Sequence, residues 1–170
     1  MISFRKPEVS DAAGALSFFL KLVVQDTQRV ERFEDVSKLT MLDEIAWLEN
    51  LAKRIDRDEM RSVIGVNADE EIVMLGEIER RPRWVEKHVA EIRFGLLPSH
   101  QVEGAKLVLL LEELAKELKI EVLIYFHLET QQIGLEIMRQ SGFVECGRIE
   151  KYYKMPSHYV DRIFMMKNIG

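Results

Sequence analysis

Three consecutive segments constrain this chain more than any others. Val89–Leu97 has strand character, Gly104–Leu118 carries its apolar residues at helical spacing, and Ile120–Leu128 is apolar and rich in branched side chains, the pattern of a buried strand. A strand, a helix and a strand in this order imply a right-handed crossover joining two parallel strands. The remaining segments must be arranged around that unit.

They divide into helices and short strands. Ile2–Lys6 alternates apolar and polar residues and ends at Pro7, a first strand. Ser10–Asp11 offers a helix cap for Ala12–Val24, and Thr40 caps a helix that runs to Ile55 with Asp43 and Glu44 in its first turn. Between them, Gln25–Lys38 reads as a loop or a broken helix. Arg61–Val66 and Ile72–Ile78 flank the polar turn Asn67–Glu71 and form a hairpin. Thr130–Ser141 is a helix stopped by Gly142, and Gly147–Met155 and Tyr159–Lys167 are two last strands. The expected fold is a single α/β domain over 1–170. Its sheet is mixed and mostly antiparallel, with a central parallel strand pair and helices on both faces.

Bulk properties narrow the class. The 170 residues carry a formal charge of −5, opposite to the balance that a broad nucleic-acid footprint needs. No run is long and apolar enough to span a bilayer, and the N-terminus lacks the apolar core of a secretory signal. One cysteine, Cys146, precludes an internal disulfide, which suits a reducing cytoplasm. The four histidines, His88, His100, His127 and His158, are not at metal-ligand spacing. The expectation is a soluble cytoplasmic protein with no metal, no nucleic-acid partner and no membrane.

The turn inside the crossover carries the functional signal. Pro98 ends the strand ladder, and the first helical turn then presents unpaired N–H groups at the positive end of the helix dipole. A diphosphate can rest on such donors where the backbone is uncovered, and Gly104 lacks the Cβ that would obstruct it. The same residues also serve an ordinary strand-to-helix turn.

Wider context supports the first reading. VAEIRFGLLPSHQVEGAK resembles the acetyl-CoA motif of the GNAT superfamily of N-acetyltransferases, with Gln101-Val102-Glu103-Gly104-Ala105-Lys106 in the frame Gln/Arg-x-x-Gly-x-Gly/Ala. GLEIMRQSGF at Gly134–Phe143 is similar to the family's Ala-x-x-x-Tyr-x-x-x-Gly-Phe helix, and HYVDRIFMMK resembles its closing strand. The resemblance implies that the two parallel strands splay apart. The pantetheine arm of acetyl-CoA would then lie along the backbone around Phe94, Leu96 and Leu97. The diphosphate would rest on the amides from Val102 to Lys106, with Gln101, Glu103 and Ala105 in the same turn and Gln131 completing the cofactor contacts. It also implies Glu91 as candidate general base, since an alkylammonium with a pKa of about 10.4 must lose a proton before it can attack.

The sequence departs from the pattern at three places. Lys106 replaces Gly or Ala, and its side chain either crowds the diphosphate or swings outward as a cation. Glu103 replaces a commonly basic residue. Met138 stands where many members carry the tyrosine that protonates the departing thiolate, and methionine cannot donate a proton. Tyr152, Tyr153 and Tyr159 are other sources of a phenol.

Each candidate also has a plain structural reading. Glu91 could simply pair with a neighbouring arginine, and Glu77 and Glu79 could either share its substrate face or form the solvent face of a hairpin. His127 could shuttle protons or be a partly buried strand-end residue. Cys146 is read as packing, and the basic run Arg80–Trp84 as a hairpin tip that could alternatively bind an acidic partner or the adenosine phosphate. The resulting expectation is an N-acetyltransferase acting directly on a primary amine, of a small molecule in preference to a protein, with acetyl-CoA as cosubstrate. The alternatives are a catalytically impaired CoA-binding sensor and an interaction protein without CoA. A homodimer is compatible with any of them.

Overall fold

The computed structural model describes residues 1–170. One seven-stranded sheet runs through it in the order β1-β2-β3-β4-β5-β7-β6. The strands are β1 (Ser3–Arg5), β2 (Met60–Val66), β3 (Ile72–Arg80), β4 (Val89–Leu96), β5 (Val122–Leu128), β6 (Val144–Lys154) and β7 (Tyr159–Asn168). The helices are α1 (Ala12–Gln25), the single turn α2 (Phe33–Val36), α3 (Met41–Asp56), α4 (Gly104–Glu117) and α5 (Gln132–Gln140). Only β4 and β5 are parallel. Every other neighbouring pair is antiparallel.

Two glycines on adjacent strands show how the layers are assigned. Leu75 lies opposite Gly95 and Gly76 opposite Phe94, so these two pairs point to opposite faces. A Cβ on Gly76 would lie 2.6 Å from Leu111 and 3.1 Å from Leu107, so α4 covers that face. A Cβ on Gly95 would lie 2.8 Å from Leu22, so α1 covers the other. Leu107, Val108, Leu111 and Ala115 form the fully buried stripe of α4. Its polar Glu112 is buried too, and is held by Lys167 of β7 at 2.7 and 2.8 Å. Across the sheet, α3 begins with the Thr40 cap that its sequence promises, and the cap is reciprocal. The Asp43 amide donates to Thr40 Oγ1 at 3.3 Å, while the Thr40 amide donates to the Asp43 carboxylate at 2.8 Å.

Differences from the sequence reading lie at element ends and in pairing. The last hairpin does not simply follow β5: β7 inserts between β5 and β6, leaving β6 at the edge. β6 begins at Val144 and includes two register shifts against β7, with Lys151 at φ 53° inside the second. The helical run containing α4 starts at Pro98, because a 3-10 turn over Pro98–Glu103 leads into it. Gly142 ends α5 with φ 85°, the left-handed conformation of a C′ glycine.

Candidate active site

The parallel pair holds together only at its base. Val89, Ala90 and Glu91 pair with Val122, Leu123 and Ile124, and no further pairing follows. Beyond that point β4 stays on β3 and β5 stays on β7, so the facing edges of Ile92–Leu96 and Tyr125–Leu128 diverge into a fork. Main-chain donors and acceptors on such edges call for a partner, and an extended ligand lying between them is one that fits. Of the residues assigned to the pantetheine track, Phe94 and Leu96 line this fork. Leu97 lies past the end of β4, and its amide is already engaged with the Val73 carbonyl at 3.0 Å.

The fork is narrow at present. Phe94 stacks on Tyr125 across it, with centroids 5.7 Å apart and planes at 19°. The remaining void is about 20 Å³, room for one water. Its mouth is crossed by a hydrogen bond from Gln131 to the Asp26 carboxylate, which also lies 3.7 Å from Arg29. Gln131 is 4% exposed, and its other amide atom accepts from the Gly134 N–H at the start of α5. Its role in the structure is thus to cap α5 and to tie that helix to the end of α1.

The turn proposed for the diphosphate differs from the expectation at Gly104. A Cβ there would meet Ile137 Cγ1 at 2.9 Å and Leu96 Cδ2 at 3.1 Å. The glycine therefore serves the close packing of α4 against α5, whether or not a ligand is present. The Gly104 amide is also engaged, donating to the Gln101 carbonyl. A large side chain at this position would disturb the fold and could not isolate ligand binding. Lys106 swings away from the turn, its ammonium 5.3 Å from the centre of the Phe4 ring. The outer edge of the turn is open: Gln101 is exposed, and Val102 is 81% exposed. Glu103 turns one carboxylate oxygen inward, where it has no partner, and Ala105 is half-buried.

Glu91 is the last residue of β4 still paired with β5, so it marks the base of the fork. Register places Glu79 opposite Glu91 and Glu77 opposite Arg93, all on the face covered by α1 and α3. Arg93 reaches Glu79 at 2.6 Å and Glu77 at 3.5 Å, and Arg54 of α3 reaches Glu79 at 2.6 Å. Glu91 has looser partners, Arg81 at 3.7 Å and Arg93 at 3.9 Å, and its side chain is only 12% exposed. Burial raises its pKa, with the positive charge of Arg93 opposing the shift and the negative charge of Glu79 reinforcing it. Burial likewise raises Glu77. A carboxylate with a raised pKa is a better proton acceptor than a free one. These side chains form a half-buried ladder of acids and guanidiniums; they are not the solvent face of a hairpin.

Met138 is fully buried in α5 and offers no proton. A phenol that the sequence reading passed over stands nearby. Tyr125 lies on β5 inside the fork, 2% exposed, and its hydroxyl points at Gly134, where a Cβ would be only 2.7 Å away. Gly134 occupies the place of the family's alanine, one turn before Met138. The missing methyl is what admits the Tyr125 hydroxyl, so the signal was the pairing of a glycine on α5 with a tyrosine on β5. Burial raises the Tyr125 pKa and keeps the phenol protonated. Tyr152 donates nothing into the fork: it is exposed and accepts from Arg162 at 2.7 Å on the last hairpin.

The other candidates settle into structural roles. Burial, aided by the charge of Arg29, lowers His127 to a pKa of about 3, so its ring is neutral at physiological pH. Its Nδ1 accepts from the Leu128 amide at 2.9 Å. Cys146 is exposed, not packed, with its thiol 3.6 Å from the Phe164 carbonyl. In the basic run, Arg80 donates to the Leu118 carbonyl and Arg81 faces Glu91, so both serve the protein's own contacts. No cluster of three or more His, Cys, Asp or Glu could hold a metal ion, and no helix is long and apolar enough to cross a membrane.

A larger cleft of about 500 Å³ opens on the α1–α3 side of the sheet. Phe18, Phe19, Leu22, Trp47 and Leu51 form its apolar wall, and it extends along β4 to Arg93, Phe94 and Gly95. Arg29 and Phe94 line both this cleft and the fork, so the two spaces meet there.

A fork between two parallel strands, with a cleft on the opposite face, defines an acyl-CoA N-acyltransferase architecture, and solved structures share it. The acetyltransferase of the GNAT family from Streptococcus pneumoniae superposes with a TM-score of 0.87 over 100% of both chains, at 18% identity. A ribosomal-protein-alanine N-acetyltransferase from Brucella melitensis gives 0.79 at 22% identity, covering 98% of this chain and 99% of that one. A phosphinothricin acetyltransferase from Sinorhizobium meliloti, solved in complex with acetyl-CoA, gives 0.81 at 14% identity, covering 99% of this chain and 89% of that one. No family model matches the sequence, and no curated protein matches it. The chain has the GNAT acetyltransferase fold.

Proposed function

We propose that this protein transfers an acetyl group from acetyl-CoA to the primary amine of a small molecule by direct attack. The observation that carries the reading is the fork: the only parallel pair in the sheet parts after three residue pairs, leaving two main-chain edges without partners. Pantetheine is assigned to the edge at Phe94–Leu96, and the diphosphate to the turn at Gln101–Lys106. The amine enters from the α1–α3 cleft. Glu91, directly or through water, removes the ammonium proton. The nitrogen lone pair attacks the thioester carbonyl and forms the C–N bond, the C–S bond breaks, the nitrogen gives up its surplus proton through water to restore the proton donor, and the thiolate takes up a proton. Tyr125 is assigned that last transfer, in place of the tyrosine that Met138 replaces. Holding the two reactants together supplies much of the acceleration in such a reaction.

The narrow fork and the loss of the α5 tyrosine favour a second reading, a CoA-binding sensor without turnover. One pair of measurements separates them. Acetyl-CoA at 100 times its dissociation constant should stabilise the fold by about 2.7 kcal/mol. Thiol release across a panel of amines then reports turnover. Stabilisation with amine-dependent thiol release supports the enzyme, and stabilisation alone supports the sensor. No stabilisation removes both.

A further inference from the structure

Glu44 sits in the first turn of α3, 3% exposed, on the wall of the α1–α3 cleft. Its Oε2 is buried with no hydrogen-bond partner. That is unusual for a carboxylate, because an uncompensated buried charge is strongly unfavourable. The cleft does contain cations, but each already has an acid. Arg29 pairs with Glu31 at 3.2 Å and Asp26 at 3.7 Å. Arg54 pairs with Glu79 at 2.6 Å and Glu59 at 3.5 Å. Arg93 pairs with Glu79 at 2.6 Å and Glu77 at 3.5 Å. Neighbouring Asp43 is engaged in the α3 cap and adds negative charge.

Part of the cleft wall on the same helix face as Glu44 is aromatic. Trp47, one turn along α3, meets Phe19 edge-on at 5.7 Å, and both line the cleft. An aromatic corner beside an unpartnered carboxylate suits an alkylammonium, which gains from the ring faces and from the charge together. The corner lies far from the base of the fork. Ten residues of α3 separate Glu44 from Arg54, about 15 Å of helix, and Arg54 marks the level of the Glu77–Glu79 ladder on β3. Apolar side chains line the path between.

We infer that the cleft selects an acceptor with two cationic nitrogens joined by an apolar spacer, the distal ammonium seated on Glu44 and the proximal amine delivered toward Glu91 at the base of the fork. This rests on the acetyltransferase reading for the direction of the second amine, but not for binding at Glu44.

The test uses binding without acetyl-CoA. Hexamethylenediamine and n-hexylamine have the same spacer and differ in the second charge. By calorimetry, the diamine should bind the native protein at least about tenfold more tightly, the scale of one charge-assisted hydrogen bond. Glu44→Gln should remove that preference, and Glu44→Leu should reverse it toward the monoamine. Circular dichroism on each variant confirms the fold, and the glutamine variant keeps the shape should the leucine variant fail. Equal binding of the two amines by the native protein, or a preference that survives Glu44→Gln, overturns the inference. If diamine selectivity appears while acetyl-CoA does not bind, the pocket assignment stands and the transferase reading falls.

Discussion

Ile137 presses against Gly104 so closely that a methyl group on the glycine would lie 2.9 Å from Ile137 Cγ1. Two helices of the candidate site thus meet through the residue that the sequence pattern assigns to a ligand. Gly104→Ala should lower stability by about 1–3 kcal/mol, the cost of overpacking. Ile137→Val removes Cδ1, which lies nearer still than Cγ1, and should recover part of that loss in the double variant. Thermal denaturation of the four proteins in a double-mutant cycle measures the coupling. An additive result would show that the helices do not need the glycine.

Lys167 and Glu112 make the comparable contact between β7 and α4. The ammonium lies 2.7 and 2.8 Å from the two carboxylate oxygens and 2.7 Å from the Ser141 carbonyl. Lys167→Met leaves a buried carboxylate without its cation and should cost about 3 kcal/mol. Replacing both, as Lys167→Met with Glu112→Leu, should restore most of the stability, because two apolar groups of similar volume leave no orphan charge. Urea denaturation midpoints distinguish the single from the double variant.

The bond between Gln131 and Asp26 crosses the mouth of the fork, joining residues 105 positions apart. If acetyl-CoA must part these side chains, releasing them lowers the free energy of the open state relative to the closed one. Asp26→Ala should therefore strengthen acetyl-CoA binding several-fold while weakening the fold by about 1 kcal/mol. Isothermal titration on native and variant protein checks the sign. Weaker binding in Asp26→Ala would mean that the carboxylate helps to hold the ligand.

Much of this fold could be read from the chain because the local signals agree with the global one. The Thr40–Asp43 cap, the Gly142 stop and the crossover from Val89 to Leu128 each state an element or a connection, and each is present. Pairing was less legible. Nothing in the 144–168 segment specifies that β7, not β6, lies against β5, since that depends on how the strands pack after β5 is in place. The site was legible only where chemistry resides in the main chain, as at the fork. Tyr125 and Glu44 were missed because a tyrosine in an apolar strand and a glutamate in a helix's first turn both look ordinary. Their meaning comes from Gly134 and Trp47, which lie beside them only in the fold or on one helix face.

Tyr125 provides the sharpest test of the chemistry. Its hydroxyl makes contact with the surface of Gly134, so Tyr125→Phe should leave stability nearly unchanged. If the phenol protonates the thiolate, kcat should fall about 10²–10⁴-fold, the usual contribution of general acid catalysis, with little change in KM. Gly134→Ala should be destabilising, since its Cβ would lie 2.7 Å from the hydroxyl, and Tyr125→Phe should relieve that strain. Unchanged turnover in Tyr125→Phe would leave water as the proton source.

His127 sets an acid limit on stability. Burial holds its folded-state pKa near 3, below the ordinary value of 6.5. The unfolded chain therefore binds a proton that the fold does not as pH falls through 6.5, and stability is lost progressively down to the folded pKa. At pH 5 this amounts to up to about 2 kcal/mol relative to neutral pH. Glu44, Glu77 and Glu91 work in the opposite direction. Their raised pKa values mean that the fold takes up protons before the unfolded chain does, so acid relieves the cost of burying them. The histidine contribution is isolated by comparing native protein with His127→Asn between pH 7 and pH 5 in urea. The native protein should lose stability relative to the variant across that window, because asparagine does not titrate. Parallel curves would mean that water reaches the ring and that the fork is more open than its 20 Å³ void implies.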